Sequence, residues 1–124
     1  MAIGERVKAL ISLVDQGKFL EAIQEFYAED ASMQENNDPP RIGLPVLLER
    51  EKQFLKSIRG MHVHKADSFV VEGNRAAINW IFEITDGEGK RRRLDEMAYQ
   101  LWQGDKITRE RFYYDPAQRQ IEIR

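Results

Sequence analysis

Cysteine is absent from the 124-residue chain. Its absence excludes disulfides, thiol nucleophiles and cysteine-ligated metal sites. A charge excess of either sign is missing as well: 19 Lys and Arg stand against 21 Asp and Glu, a net of −2. So even a balance gives no reason to expect a nucleic acid or an anionic membrane surface as partner. No apolar run approaches the length of a membrane span. The opening MAIGERVKAL reaches a charged pair within six residues and builds no apolar signal core. Repeats, low-complexity segments and linkers are also lacking. What is present is an apolar share of 42% and a charged share of 32%, the make-up of an ordinary globular protein. A single domain over residues 1–124, with one core, is expected. The cytoplasm is its default compartment.

Helical spacing comes first along the chain. Ile3, Val7, Leu10, Ile11 and Val14 form one apolar stripe, and Gly17 is placed to end that helix in the left-handed conformation. Phe19, Ala22, Ile23, Phe26 and Tyr27 predict a second, short amphipathic helix. A third starts near Leu44, with Pro45 in the turn that tolerates it. It is expected to bury Leu47, Phe54, Leu55 and Ile58 and to stop at Gly60. From Met61 the period becomes alternating. MHVHKADSFVVEG reads as one long strand ending at a Gly73-Asn74 turn. RAAINWIFEIT follows and ends in Asp86-Gly87-Glu88-Gly89. RRRLDEMAYQLWQ, a turn at Gly104-Asp105, and KITRERFYYDP complete the run before Pro116. Turns this short demand antiparallel neighbours. The predicted fold class is α+β: a curved, mainly antiparallel sheet with three N-terminal helices on its concave face, enclosing a pocket.

Between the second and third helices lies FYAEDASMQENNDPPRIG, from Phe26 to Gly43. Its alternating middle puts Ala31, Met33 and Glu35 on one face. Pro39 and Pro40 cannot donate ladder hydrogen bonds, so the strand stops before them. Glu35 is therefore a carboxylate sharing a face with a methionine, at the mouth of a rigid loop. Desolvation there raises its pKa and makes it a usable base. No cationic partner is evident at the strand positions around it, so Glu35→Gln is expected to melt no lower than the wild type near neutral pH. Arg41 is the partner to suspect should the variant melt early.

Three stretches carry a resemblance: LVDQGKFLEAIQEFYAEDASMQEN, the PPRIG before the third helix, and the C-terminal WQGDKITRERFYYDP. In that order and spacing they resemble the nuclear-transport-factor-2-like cone fold. This is the fold of ketosteroid isomerases, SnoaL-type polyketide cyclases and limonene-epoxide hydrolases. The resemblance implies a catalytic acid at Glu35, which matches the isomerase base. It places the isomerase oxyanion tyrosine at Leu10 and the second oxyanion donor, a histidine in the cyclases, at or near Met97. The aspartate of the cyclases and hydrolases falls at Phe112, and the hydrolase tyrosine and asparagine fall at Met33 and Glu35. Leu10, Met33, Met97 and Phe112 are thus expected as ligand-contacting walls.

Helpers for Glu35 come from strand faces expected to look into the pocket. Glu110 and Tyr114 share one with Phe112; Asp95 and Tyr99 share another with Met97. Trp80, Phe82 and Ile84, with Trp102, are assigned partly to the outer sheet face, through which proteins of this fold form homodimers. His62 and His64 stand on one strand face at a spacing two metal ligands can use. No third ligand is recognisable, so neither metal nor cofactor is expected. Arg91-Arg92-Arg93 reads as a solvated hairpin shoulder without an aromatic platform for nucleic acid. Two functions stay open. One is proton transfer by Glu35 on a small, largely apolar, carbonyl-bearing substrate, with isomerase, cyclase or dehydratase chemistry. The other is a non-catalytic ligand-binding or assembly module.

Overall fold

Two helices form where the apolar stripes run, and a three-residue turn centred on a glycine separates them. In the computed structural model, which describes residues 2–66 and 68–123, α1 spans Gly4–Asp15 and α2 spans Phe19–Phe26. α1 buries Val7, Leu10, Ile11 and Val14, and α2 buries Ala22, Ile23 and Phe26. Each such large side chain withdrawn from water contributes about 2 kcal/mol. Gly17 follows α1 at φ +76°, a left-handed value that a Cβ disfavours. α3 (Leu44–Ser57) carries Pro45 in its first turn, but Leu47 is its one buried residue. Phe54 stays exposed. Gly60 does not end this helix; it lies inside β3 (Ile58–Val63).

The expected first long strand is two strands. β3 and β4 (Phe69–Glu72) both pair antiparallel with β5 (Arg75–Asp86), β3 along its second half and β4 along its first. β6 (Arg91–Gln103) and β7 (Lys106–Tyr113) continue the meander, while β1 (Tyr27–Glu35) and β2 (Arg41–Ile42) extend the far edge. The order across the sheet is β2-β1-β7-β6-β5-β3, with β4 sharing β5's edge. Every pairing is antiparallel except β1 with β7. The sheet curls into a half-barrel with the helices across its concave side, the α+β cone the sequence predicts. No helix among the described residues is long and apolar enough to cross a membrane.

One irregularity decides which side chains face inward. The Gly104-Asp105 turn pairs Gln103 with Lys106 and Trp102 with Ile107. Beyond a bulge, however, Leu101 pairs with Arg109, Gln100 with Glu110 and Ala98 with Phe112. A one-residue slip exchanges the two faces of a strand. Counting from the turn alone puts Tyr99 and Met97 beside Glu110 and Phe112; the bulge puts Gln100 and Ala98 there instead. The next hairpin keeps that parity, pairing Trp80 with Glu96 and Ile78 with Ala98.

Two expectations are corrected by this register. Asp95, Met97 and Tyr99 lie on the outer face, Met97 and Tyr99 each 41% exposed. Trp80, Phe82 and Ile84 line the inside rather than an outer interface. Trp80 is 4% exposed and stacks on Phe82, ring centroids 5.9 Å apart. Trp102 is fully buried, packed edge-on against Phe26 of α2 at 6.3 Å.

Candidate functional site

A cavity of about 580 Å³ lies between helices and sheet. Leu10, Met33, Trp80, Phe82 and Phe112 supply much of its apolar wall. Four strands bring a carboxyl to it, Glu35 from β1, Asp86 from β5, Glu96 from β6 and Glu110 from β7; Glu51 of α3 adds a fifth. The surroundings of these acids differ, and so does their chemistry.

Asn36 fixes the position of Glu35. It adopts φ +51°, a left-handed conformation that asparagine tolerates better than most residues. Its N–H donates to the Phe112 carbonyl at 2.8 Å, and its Oδ1 accepts from the Tyr114 N–H at 3.0 Å. The end of β1 is thereby tied to the end of β7. The Tyr114 hydroxyl then donates to Glu35 Oε1 at 2.6 Å, and Arg41 Nη1 to Oε2 at 2.8 Å. Arg119 also donates to Oε1. It arrives on a short 3-10 turn, Pro116–Arg119, which Asp115 caps through the Ala117 N–H at 2.9 Å. Gln118 pins that turn to β6 by accepting from the Asp95 N–H at 2.8 Å.

Burial on its own raises the pKa of Glu35. Hydrogen bonds from Tyr114 and Arg41 and the charge of Arg119 outweigh it, and the carboxyl sits below its ordinary value. Glu35 is a tethered anion between two guanidinium groups, not the desolvated, unpartnered base that alternation suggests. The strand positions beside it supply no cation; the next strand and the C-terminal turn do.

Glu110 is buried at the other end of a polar chain. The Tyr27 hydroxyl donates to its Oε1, and Gln100 Nε2 donates to its Oε2 at 2.7 Å. Gln100 Oε1 accepts in turn from Trp102 Nε1 at 3.0 Å. Burial pushes the Glu110 carboxyl up to about 7, against the pull of the two donors toward the ionised form. Glu51 is also raised, by burial and then by the charge of Glu35.

Glu96 is the residue that sequence reasoning leaves out. It is 8% exposed and borders the cavity. Asn79 donates to its backbone carbonyl at 2.9 Å, while no described residue donates to its carboxyl. No described side-chain oxygen or nitrogen is both sealed off and unpartnered, so the Glu96 oxygens open on cavity space. Burial first, then the charges of Glu110 and Glu35, push this carboxyl up to about 8, with Arg119 opposing. Glu96 therefore holds its proton at neutral pH. The signal available in the sequence was its face, shared with Ala98 and Trp102.

Of the other expected site residues, Leu10, Met33 and Phe112 line the cavity, and Tyr114 reaches it through Glu35. Met97 and Tyr99 do not take part. The Tyr99 hydroxyl accepts from Arg75 Nη1 at 2.7 Å on the opposite side of the sheet.

A cone with acids buried under three helices has relatives. A family model for the SnoaL-like domain matches residues 1–114. The chain belongs to the SnoaL-like family. A candidate SnoaL-like polyketide cyclase from Mesorhizobium loti is 27% identical, covering 92% of this chain and 100% of that one, with a TM-score of 0.78. A Xanthomonas campestris protein of unknown function with a cystatin-like fold gives 0.82 at 16% identity, covering 96% and 95%. A Catenulispora acidiphila protein of ketosteroid-isomerase-like fold, solved in complex with trimethylamine, gives 0.77 at 16% identity, covering 93% and 88%. No curated protein matches. Among the acids of this SnoaL-like domain's cavity are a protonated one, Glu96, one near neutrality, Glu110, and an anion fixed by two arginines, Glu35.

Proposed function

We propose that the SnoaL-like cavity binds a small, largely apolar, carbonyl-bearing molecule and moves a proton on it, with Glu96 as acid and Glu110 as base. The observation that carries this reading is Glu96, a buried carboxyl that opens on the cavity with no donor to stabilise its charge. Carboxyls pushed toward different protonation states within one cavity are suited to paired acid and base roles. The C–H bond beside the substrate carbonyl breaks, and its proton passes to the Glu110 carboxylate. The electron pair moves onto the carbonyl oxygen, which takes the Glu96 proton. In a saturated carbonyl the proton returns to the same carbon, which is exchange; where a C=C lies β,γ to the carbonyl, its return to the γ-carbon gives the conjugated isomer, and the enol oxygen hands its proton back to Glu96. A positioned donor in a water-poor site is worth about 3 kcal/mol to such a step. Arg41 and Arg119, both paired with Glu35, close one end of the cavity; the pull of Arg119 on the Glu96 proton is outweighed by burial and by the charges of Glu110 and Glu35. The candidate cyclase and the trimethylamine complex among the relatives fit a small organic occupant.

One observation favours the second reading, a binding module without turnover. Both oxygens of Glu110 already accept hydrogen bonds, from Tyr27 and Gln100, which blunts a base. The test is exchange of α-protons in small hydrophobic ketones dissolved in D₂O, followed by NMR beside thermal-shift binding. Wild type should bind and exchange. Glu96→Gln should bind and exchange at least about a hundredfold more slowly. Exchange unaffected by that substitution removes Glu96 from the chemistry. Binding without exchange in the wild type establishes the module.

A further inference from the structure

The sheet's outer face holds the chain's 2 histidines side by side. His62 lies in β3. His64 follows two residues later, its N–H donating to the Ile81 carbonyl at 3.0 Å, so the ladder continues and both rings stand on one face. The β3–β5 register sets Glu83 directly opposite His62. Phe82 and Ile84, on either side of Glu83, line the cavity, so Glu83 points the other way. His64 Nε2 lies 2.5 Å from Glu83 Oε2, and the two imidazole centroids are 4.9 Å apart. One donor atom from each of the three residues falls within 4.8 Å of the others. Residue spacing supplied two ligands; strand register supplies the third.

We propose that His62, His64 and Glu83 form a binding site for a divalent metal of the zinc class, with a fourth position open to solvent. Two imidazole nitrogens and a carboxylate are a zinc ligand set. Zinc–ligand bonds of about 2.0–2.2 Å place tetrahedral ligand atoms about 3.4 Å apart. Side-chain rotation reaches that spacing from the present one, since all three residues are at least partly exposed. The His62 imidazole makes no hydrogen bond with any described residue. Arg91 donates to Glu83 Oε1 at 2.8 Å, leaving Oε2 to exchange His64 for a metal. That bond orients the carboxylate in the way an outer partner does, while the guanidinium charge works against the metal. The site lies across the sheet from the cavity and stands independently of the proton-transfer reading.

The experiment is a zinc chloride titration of the full chain, followed by calorimetry and by imidazole NMR. With no cysteine and only these 2 histidines, imidazole signals report this site alone. The expected result is one equivalent of zinc bound, with both rings shifting on the same curve. His62→Ala, His64→Ala and Glu83→Gln should each weaken binding about tenfold or more, and Arg91→Gln should tighten it. These exposed positions can change without unfolding the chain, which an unchanged melting temperature checks. Zinc that moves neither ring or only one, or that binds the variants as tightly as the wild type, overturns the proposal.

Discussion

Two glutamates border one cavity, and the protein treats them oppositely. Glu35 and Glu96 are both largely withdrawn from water, and in both burial is the leading influence on the carboxyl. Glu35 ends β1 where a turn and a C-terminal segment deliver Tyr114, Arg41 and Arg119 to its oxygens. Glu96 sits mid-strand on β6, where neighbours such as Ala98 and Trp80 offer nothing to its charge. One carboxyl is held below its ordinary pKa and the other is pushed up to about 8. The lesson is that an apolar wall does not set an acid's chemistry. The donors within reach do.

The largest effect expected from breaking this contrast is at Glu96. An acid whose folded pKa is raised favours the protonated folded state. Its stabilisation is full below the unfolded value of 4.5 and is lost as pH rises through about 8. Glu96→Gln mimics the protonated form and removes that loss. Urea unfolding should show the two proteins alike near pH 4 and the variant ahead above pH 8, by on the order of 4 kcal/mol. A constant difference across that range removes Glu96 from the account.

Glu35→Gln should act with the opposite sign. It turns one accepting oxygen into an NH2 donor and leaves Arg41 and Arg119 without a countercharge, costing about 2 kcal/mol near neutrality. This reverses the expectation from alternation that the amide is tolerated. A lowered carboxyl contributes stability above its unfolded value and loses it as pH falls through the folded one, so the gap should narrow in acid. A variant that melts with the wild type at pH 7 shows that the arginines are not engaged.

Two tyrosines sharpen the contrast at smaller scale. Tyr114→Phe deletes one donor to Glu35 and should cost about 1 kcal/mol. Tyr99→Phe, on the outer face, should stay within about 0.5 kcal/mol. Thermal melts of both variants rank them, and equal losses would say that Tyr99 faces the cavity after all.

Much of this was legible in the sequence. Helix stripes, the left-handed Gly17 and the turns at Gly73, Asp86–Gly89 and Gly104 all give the element order. Alternation places Met33 and Glu35 inward together, and does the same for Glu110, Phe112 and Tyr114. The reading fails where a single bulge intervenes. β6 has no clean amphipathic signal, because its outer face carries Met97, Tyr99 and Leu101 while its inner face carries Glu96 and Gln100. With hydrophobicity inverted, parity rests on counting back from the Gly104-Asp105 turn, and the slip at Leu101 and Trp102 makes that count wrong by one. Trp80, Phe82 and Ile84 were assigned outward on their apolar surface alone, which a cavity wall needs as much as an interface does. The partners of Glu35 were hidden for another reason: Arg119 lies 84 positions away in the sequence, and no local pattern reports a contact that the closing of the sheet creates.

The most direct test is a carboxyl-carbon NMR titration of the protein labelled at its glutamate side chains, with Glu35→Gln and Glu96→Gln assigning the two signals. The account predicts that Glu96 titrates near pH 8 while Glu35 titrates below its ordinary value, so that one is protonated and the other ionised at pH 7. A Glu96 midpoint close to 4.5, or two midpoints that coincide, would contradict it.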